Sequence, residues 1–214
     1  GIYGHPEAAN MAYLGLYALQ HRGQESAGIA VADGVRIRAL RQMGYVAEIF
    51  TQPALATLPG HIAIGHTRYS TAGESTVANA QPLLIDCVHG QVGICHNGNI
   101  VNAREIRDEL VRQGSIFQTN SDTEVALHLF ARSQAPAVDE AIVESVARLT
   151  GAFSFAFITK DRLVAVRDPH GFRPLALGRL GEGWVVCSET CAMDLVGATF
   201  VRDVEPGEVL ILGP

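Results

Sequence analysis

The stretch ICHNGNIVN, residues 94–102, brings an apolar run up to His96, Asn97, Gly98 and Asn99. An Asn-Gly pair between two strands is a strong hairpin signature, and for an isolated pair a surface turn is the plain reading. The chain then continues as NAREIRDELVRQG, a helical pattern and not a returning strand. The same residue types suit acyl transfer. In that chemistry negative charge develops on a carbonyl oxygen, and each pre-aimed N–H donor stabilises it by roughly 3–4 kcal/mol. Asn97 can offer a side-chain amide and Gly98 a backbone N–H, with no Cβ to hold a substrate away.

Three further clusters carry polar chemistry beside apolar segments. In QHRGQESAG, 20–28, His21 and Arg22 complement a helix C-terminus that Gly23 would cap, and the polar residues after it lead directly into an apolar strand. In GHTRYSTAG, 65–73, Arg68 offers a planar fork for a carboxylate and Thr71 a hydroxyl; a loop with one solvated Arg fits the same residues. In QTNSDTEVALH, 118–128, Asp122 falls in the first turn of a helix, where a carboxylate is favoured electrostatically and could also hold an ammonium group.

Other chemistries find no support. The chain has no G-x-S-x-G elbow and no G-x-x-x-x-G-K-[ST] phosphate loop. His61, His66, His89 and His96 with Cys87 and Cys95 match no zinc spacing, and Cys187-x-x-x-Cys191 suits packing better than ligation. A formal charge of −6 without a basic run disfavours nucleic acid. Four unevenly spaced cysteines read as reduced thiols of a cytoplasmic protein. No apolar run approaches the length of a membrane span. With 48% hydrophobic and 18% charged residues, the 214-residue chain reads as one globular unit, 1–214, without linker or repeat.

Periodicity supplies the elements that must position these groups. Ala8, Met11, Ala12, Gly15, Leu16 and Leu19 predict a helix over 7–20. GIAVAD (28–33) and VRIRAL (35–40) predict a hairpin about Gly34, and 61–66 and 91–96 predict short buried strands. Asn102 with Glu105, and Ser121 with Glu124, read as capping boxes opening two helices, the second running to Arg132; Ala141, Ile142, Ser145, Val146 and Leu149 mark a third. From Phe153 the period becomes two, and strands are expected through 157, back along LVAVRD, and at 174–178, 184–188, 199–202 and 208–212. Helices and antiparallel strands in separate runs predict an α+β layered domain.

Taken together, QHRGQESAG, GHTRYSTAG, CHNGNIVNA and SDTE, with RDPHGFRPL, SETCAMD and DVEPGE further on, resemble the class II glutamine amidotransferases of the N-terminal-nucleophile hydrolase superfamily. The resemblance covers essentially the whole chain. QHRGQ, in place of a YRG version, points away from the glucosamine-6-phosphate synthase branch. It points toward the branch that feeds ammonia to a phosphoribosyltransferase domain in purine biosynthesis.

The resemblance implies a four-layer αββα sandwich and hydrolysis of the glutamine side-chain amide. It assigns Asn97 and Gly98 to an oxyanion hole, Arg22 to the wall near the nucleophile, Arg68 with Thr71 to the glutamine α-carboxylate, and Asp122 to its α-ammonium. The family's nucleophile, an amino-terminal Cys whose own α-amine is the base, is expected upstream of Gly1, so the chain as written is expected not to turn over glutamine. A C-terminal phosphoribosyltransferase domain, using Mg and phosphoribosyl pyrophosphate, is expected beyond Pro214, in an enzyme that forms a homo-oligomer. This domain itself is expected to need no cofactor, and the ligands of any iron–sulfur cluster would lie outside the span. A non-catalytic glutamine-sensing or scaffold module on the same fold is the competing expectation.

Overall fold

The computed structural model describes residues 1–69 and 76–214. The chain opens with β1 (Ile2–Tyr3), α1 (Ala8–Ala18), a 3-10 turn at Gln20–Arg22, β2 (Ser26–Ala32) and β3 (Ile37–Met43). Two short helices, α2 (Val46–Ile49) and α3 (Gln52–Ala56), lead to β4 (Ile62–Arg68), and then come β5 (Leu83–Cys87) and β6 (Gly90–Ile100). Next are three helices: α4 (Ala103–Arg112), α5 (Thr123–Arg132) and α6 (Val138–Ala147). The last third holds β7 (Gly151–Ile158), β8 (Leu163–Arg167), β9 (Ala176–Leu180), β10 (Gly183–Cys187), α7 (Cys191–Val196), β11 (Thr199–Asp203) and β12 (Val209–Leu212).

The strands form two antiparallel sheets. One has seven strands in the order β11-β9-β10-β1-β4-β2-β3, the other five in the order β12-β8-β7-β6-β5. Three apolar layers bind them into the αββα sandwich. Residues of α1, α2, α3 and α7 pack on the seven-stranded sheet. Ile106 and Leu110 of α4, with α5 and α6, pack on the five-stranded sheet. Ala30, Ile62, Ile64, Cys95, Ile158 and Val186 are among the side chains that fill the space between sheets.

Strand alternation produces this sorting. Phe153, Phe155 and Phe157 of β7 face the helices, with ring centroids 4.9 and 5.7 Å apart along the strand, while Ala156 and Ile158 face the other sheet. Each such phenylalanine, removed almost wholly from water, stabilises the fold by about 2–3 kcal/mol.

Several expectations need correction. The helix expected over 7–20 ends at Ala18 and tightens into the 3-10 turn, and Gly23 does not cap it, because its φ of −167° is extended. The strand expected to end at His96 continues to Ile100. Asn102 makes no side-chain cap; its Oδ1 accepts from Thr150 N–H and its Nδ2 donates to the Arg148 carbonyl, so it ties α4 to the start of β7. At α5 the flanking residue is Asp122, and Glu124 does not reach back to Ser121. Its carboxylate accepts instead from the N–H groups of Gln118 and Thr119 and from the Thr119 hydroxyl. Strands β9, β10, β11 and β12 fall within two residues of their expected positions. Among the described residues no helix is long and apolar enough to cross a membrane.

Glu124 gives the loop before α5 a pH dependence. Burial pushes its carboxyl up, but His128, the two backbone N–H groups and the Thr119 hydroxyl outweigh burial and hold it down to about 2, against an ordinary 4.5. A carboxyl depressed in the folded state contributes stability above its unfolded pKa and loses that contribution as pH falls through the folded one. Glu124→Gln should therefore cost about 1–3 kcal/mol at pH 7, and the gap to the parent should close between pH 4.5 and 2. Urea denaturation at pH 7 and pH 3 checks this; an equal cost at both would show that the charge contributes nothing.

Candidate active site

At one end of the sandwich, Arg22, Arg68, Asn97, Gly98 and Asp122 line a single cavity of about 290 Å³. Thr71, the remaining residue expected at the site, lies outside the described residues. They arrive on separate pieces of backbone. Arg22 closes the 3-10 turn after α1, Arg68 ends β4, Asn97 and Gly98 lie within β6, and Asp122 directly precedes α5.

β6 explains why Asn97-Gly98 does not turn. The pair lies inside the strand, with Asn97 opposite Ser154 and Gly98 opposite Phe153 in unbroken register with β7. On the other edge β5 pairs only as far as Ile94. Past that point side chains replace the missing strand. His96 N–H donates to Gln81 Oε1 at 2.6 Å and Ile100 N–H to Asp122 Oδ2 at 2.9 Å. N–H groups of alternate residues share an edge, so Gly98 N–H falls on the same edge between those two. The side chains alternate likewise. Cys95 faces between the sheets, and Asn97, two residues on, takes the same face. Its Nδ2 is buried and has no hydrogen-bond partner among the described residues.

The structure adds a reason for glycine at 98. Its φ is +148°, and a Cβ there would lie 2.0 Å from the Ala152 carbonyl oxygen. Close approach to β7 by itself excludes a side chain. Gly23 is constrained in the same manner from the other sheet: a Cβ would lie 2.6 Å from Arg68 C and 2.7 Å from Arg68 N. The segment carrying Arg22 is thus pressed onto the backbone of Arg68.

Asp122 is held for use as an anion. Burial pushes its carboxyl up, but His96 and the N–H groups of Ile100 and Thr123 outweigh burial and leave it below its ordinary value. His96 Nδ1 lies 3.5 Å from Asp122 Oδ1 and 3.0 Å from Thr123 Oγ1. Gln81 completes this buried cluster by donating to Thr123 Oγ1 at 3.1 Å.

His66, whose spacing in sequence matches no zinc site, lies on the cavity wall. Its Nε2 lies 2.9 Å from the His96 carbonyl oxygen. A carbonyl can only accept, so the proton is on Nε2 and Nδ1 is a lone-pair acceptor, buried without a partner among the described residues. Burial, and then the His96, Arg68 and Arg22 charges, push this imidazole down to about 4, so it is neutral at pH 7. Among the described residues no three His, Cys, Asp or Glu side chains cluster closely enough to hold a metal ion.

Sequence reasoning missed Tyr69, Gln81, Ser121, Arg173 and Ser188, which also line the cavity. Arg173 is presented by a loop wrapped around buried Asp168, whose carboxylate accepts from the N–H groups of His170, Phe172 and Arg173. RDPHGFRPL is a recognisable motif, yet nothing in it marks Arg173 as part of the wall that Asp122 also lines. A second, more apolar cavity of about 110 Å³ adjoins the first, shares His66, His96 and Asn97 with it, and is lined on its far side by Gly1, Ile2 and Cys187.

Guanidinium groups and a carboxylate lining one cavity, with an amide N–H that has no partner among the described residues on its wall, fit a zwitterionic amino acid bearing a carbonyl. Comparison with known proteins agrees with this geometry. A sequence profile described as a glutamine amidotransferase domain matches residues 66–194, and the chain belongs to that family. Amidophosphoribosyltransferase 2, chloroplastic, of Arabidopsis thaliana is 53% identical over 99% of this chain and 38% of its own length. Amidophosphoribosyltransferase of Bacillus subtilis is 47% identical over 99% of this chain and 45% of its own length.

Among solved structures, glutamine phosphoribosylpyrophosphate amidotransferase from B. subtilis, in complex with ADP and GMP, superposes with a TM-score of 0.94 at 46% identity, covering 99% of this chain and 46% of that one. A structure of an allosteric regulatory enzyme of purine biosynthesis gives a TM-score of 0.95 at 47% identity, covering 99% of this chain and 46% of that one. The chain therefore spans less than half the length of these relatives and corresponds to the glutamine amidotransferase part of amidophosphoribosyltransferases.

Proposed function

We propose that this chain is the glutaminase domain of a cytoplasmic amidophosphoribosyltransferase. In this reading it hydrolyses glutamine to glutamate and ammonia, and a C-terminal domain uses the ammonia with phosphoribosyl pyrophosphate to make 5-phosphoribosylamine for purine biosynthesis. The observation that carries it is Asn97 Nδ2, a buried donor with no partner among the described residues, on the wall that Arg68 and Asp122 also line. Arg68 takes the α-carboxylate, with Thr71 assisting, and Asp122 takes the α-ammonium, so the side-chain amide extends toward β6.

The nucleophile in this proposal is a cysteine preceding Gly1, with its own α-amine as base. Gly1 borders the adjoining cavity that Asn97 shares, so a segment before it has a short path to the amide. The thiolate adds to the amide carbon, and the oxyanion is received by Asn97 Nδ2 and Gly98 N–H. Collapse breaks the C–N bond, and ammonia leaves after taking the proton that the α-amine accepted from the thiol. Water then cleaves the thioester to glutamate and restores the thiol. The internal cysteines do not substitute. Burial pushes Cys95 above the range of a useful thiolate and Cys187 up to about 11, and neither carries a free α-amine. Without the preceding cysteine, residues 1–214 bind glutamine and do not hydrolyse it.

Two measurements on the full-length protein test this. Amino-terminal analysis should find a cysteine close before Gly1, and a glutamine-analogue electrophile should label that residue. Glutamine-dependent ammonia release should vanish on labelling. Saturable glutamine binding with no ammonia release and no labelled terminus would favour the glutamine-sensing module instead.

A further inference from the structure

Arg22 reaches the cavity from a 3-10 turn only three residues long, with a side chain that is 22% exposed. Such a turn does not by itself hold a long cation in one place. The partner that does so comes from the other end of the chain. Glu189 Oε1 lies 3.2 Å from Arg22 Nη1, and Glu189 Oε2 lies 3.0 Å from His21 Nε2. One carboxylate thus bridges two consecutive residues of the turn. Arg22 Nη1 is buried and makes no aligned hydrogen bond among the described residues, so the Glu189 contact is an attraction of charges that fixes position.

Glu189 is itself well anchored. It lies between β10 and α7, and its carbonyl accepts from Cys187 Sγ at 3.1 Å and from Ala192 N–H at 3.2 Å. Its neighbour Ser188 lines both cavities. The turn is braced from its other side by Gln20, whose Nε2 donates to the Gly23 carbonyl and whose Oε1 accepts from Val46 N–H. Glu189 closes the remaining side.

We propose that Glu189 is a positioning residue of the glutaminase site, holding the Arg22 guanidinium against the cavity wall through a carboxylate shared with His21. This rests on the glutaminase function proposed above. Glu189 touches no part of the cavity that receives glutamine, so it acts through Arg22.

The test uses the full-length enzyme, with glutamine-dependent and ammonia-dependent synthesis assayed side by side; the second bypasses this site and reports intact folding. Arg22→Ala should lower glutamine-dependent kcat. Glu189→Ala should lower it by about fivefold, the size set by a partly exposed ion pair, with little change in the glutamine KM. Glu189→Gln keeps an oxygen in reach and should recover part of the loss. In an Arg22→Ala background, Glu189→Ala should add nothing. If Arg22→Ala lowers kcat while Glu189→Ala leaves it intact, or if the two losses multiply, the role of Glu189 is overturned and the glutaminase function stands. If Arg22→Ala itself changes nothing, the assignment of Arg22 fails and the proposal fails with it.

Discussion

Replacing Asn97 by Ala should lower glutamine-dependent kcat by about 10²–10³-fold, equivalent to about 2.7–4 kcal/mol of lost transition-state stabilisation. The glutamine KM should change far less. A donor that meets a carbonyl only as its oxygen becomes an anion contributes to turnover and little to ground-state binding. The substitution is clean for structural reasons. Nδ2 of Asn97 has no hydrogen-bond partner among the described residues, so its removal orphans no other group. The backbone of residue 97 keeps its register opposite Ser154. Steady-state kinetics of the full-length enzyme, normalised to ammonia-dependent synthesis, decides the matter. An unchanged kcat would remove Asn97 from the reaction and leave its buried amide without a purpose.

The second large effect is expected at the two ends of the substrate. Arg68→Ala and Asp122→Ala should each raise the glutamine KM by about thirtyfold or more, since truncating one partner of a buried charge pair costs at least about 2 kcal/mol. The two differ in their side effects. Asp122 Oδ2 also accepts from Ile100 N–H, so Asp122→Ala leaves a strand N–H unpaired and should lower stability by about 1–3 kcal/mol. Asp122→Asn keeps an acceptor for Ile100 while losing the charge that would meet an ammonium. It should retain most of the stability and little of the affinity. Denaturation midpoints and glutamine saturation curves separate the two contributions. Should both Arg68→Ala and Asp122→Ala leave glutamine saturation as it was, the assignment of the cavity to glutamine fails.

How much of this is legible in the sequence depends on the range over which each contact acts. The alternation of Phe153, Phe155 and Phe157 is a local property, and it marks β7 and its helix-facing side. The helices of ten or more residues carry enough period to be found. α2, α3 and α7, four to six residues each, span too little of a helical repeat, and β5 escapes detection as well. β6 reads as ending at His96 because Asn and Gly are poor strand formers, while pairing with β7 carries the strand on to Ile100. Asn102 and Glu124 match a local capping pattern, but residues 46 and 48 positions on claim the first side chain and the loop just before α5 claims the second.

At the site, Arg22, Arg68, Asn97, Gly98 and Asp122 each belong to a short motif that the sequence displays. Their supporting contacts do not. Gln81 reaches the N–H of a residue fifteen positions on, and Glu189 reaches back across 168 positions to His21. A single Gln or Glu at a loop carries no periodicity that would announce such a contact. For Gly98 the sequence marks the residue but not the contact with β7, because an approach by the neighbouring strand cannot be read along one chain.

β6 runs on beyond β5, and a glutamine and an acid take over two of its exposed amides while one between them faces the cavity. In the proposed function a guest carbonyl would meet Gly98 N–H on this edge, past the point where β5 has ended. In the same proposal, what the guest carries further out is judged by a guanidinium from the other sheet and by the same Asp122 that ties Ile100 of the strand. Rewriting the guanidinium would then change the guest without touching this strand, whereas rewriting the acid would disturb the strand as well.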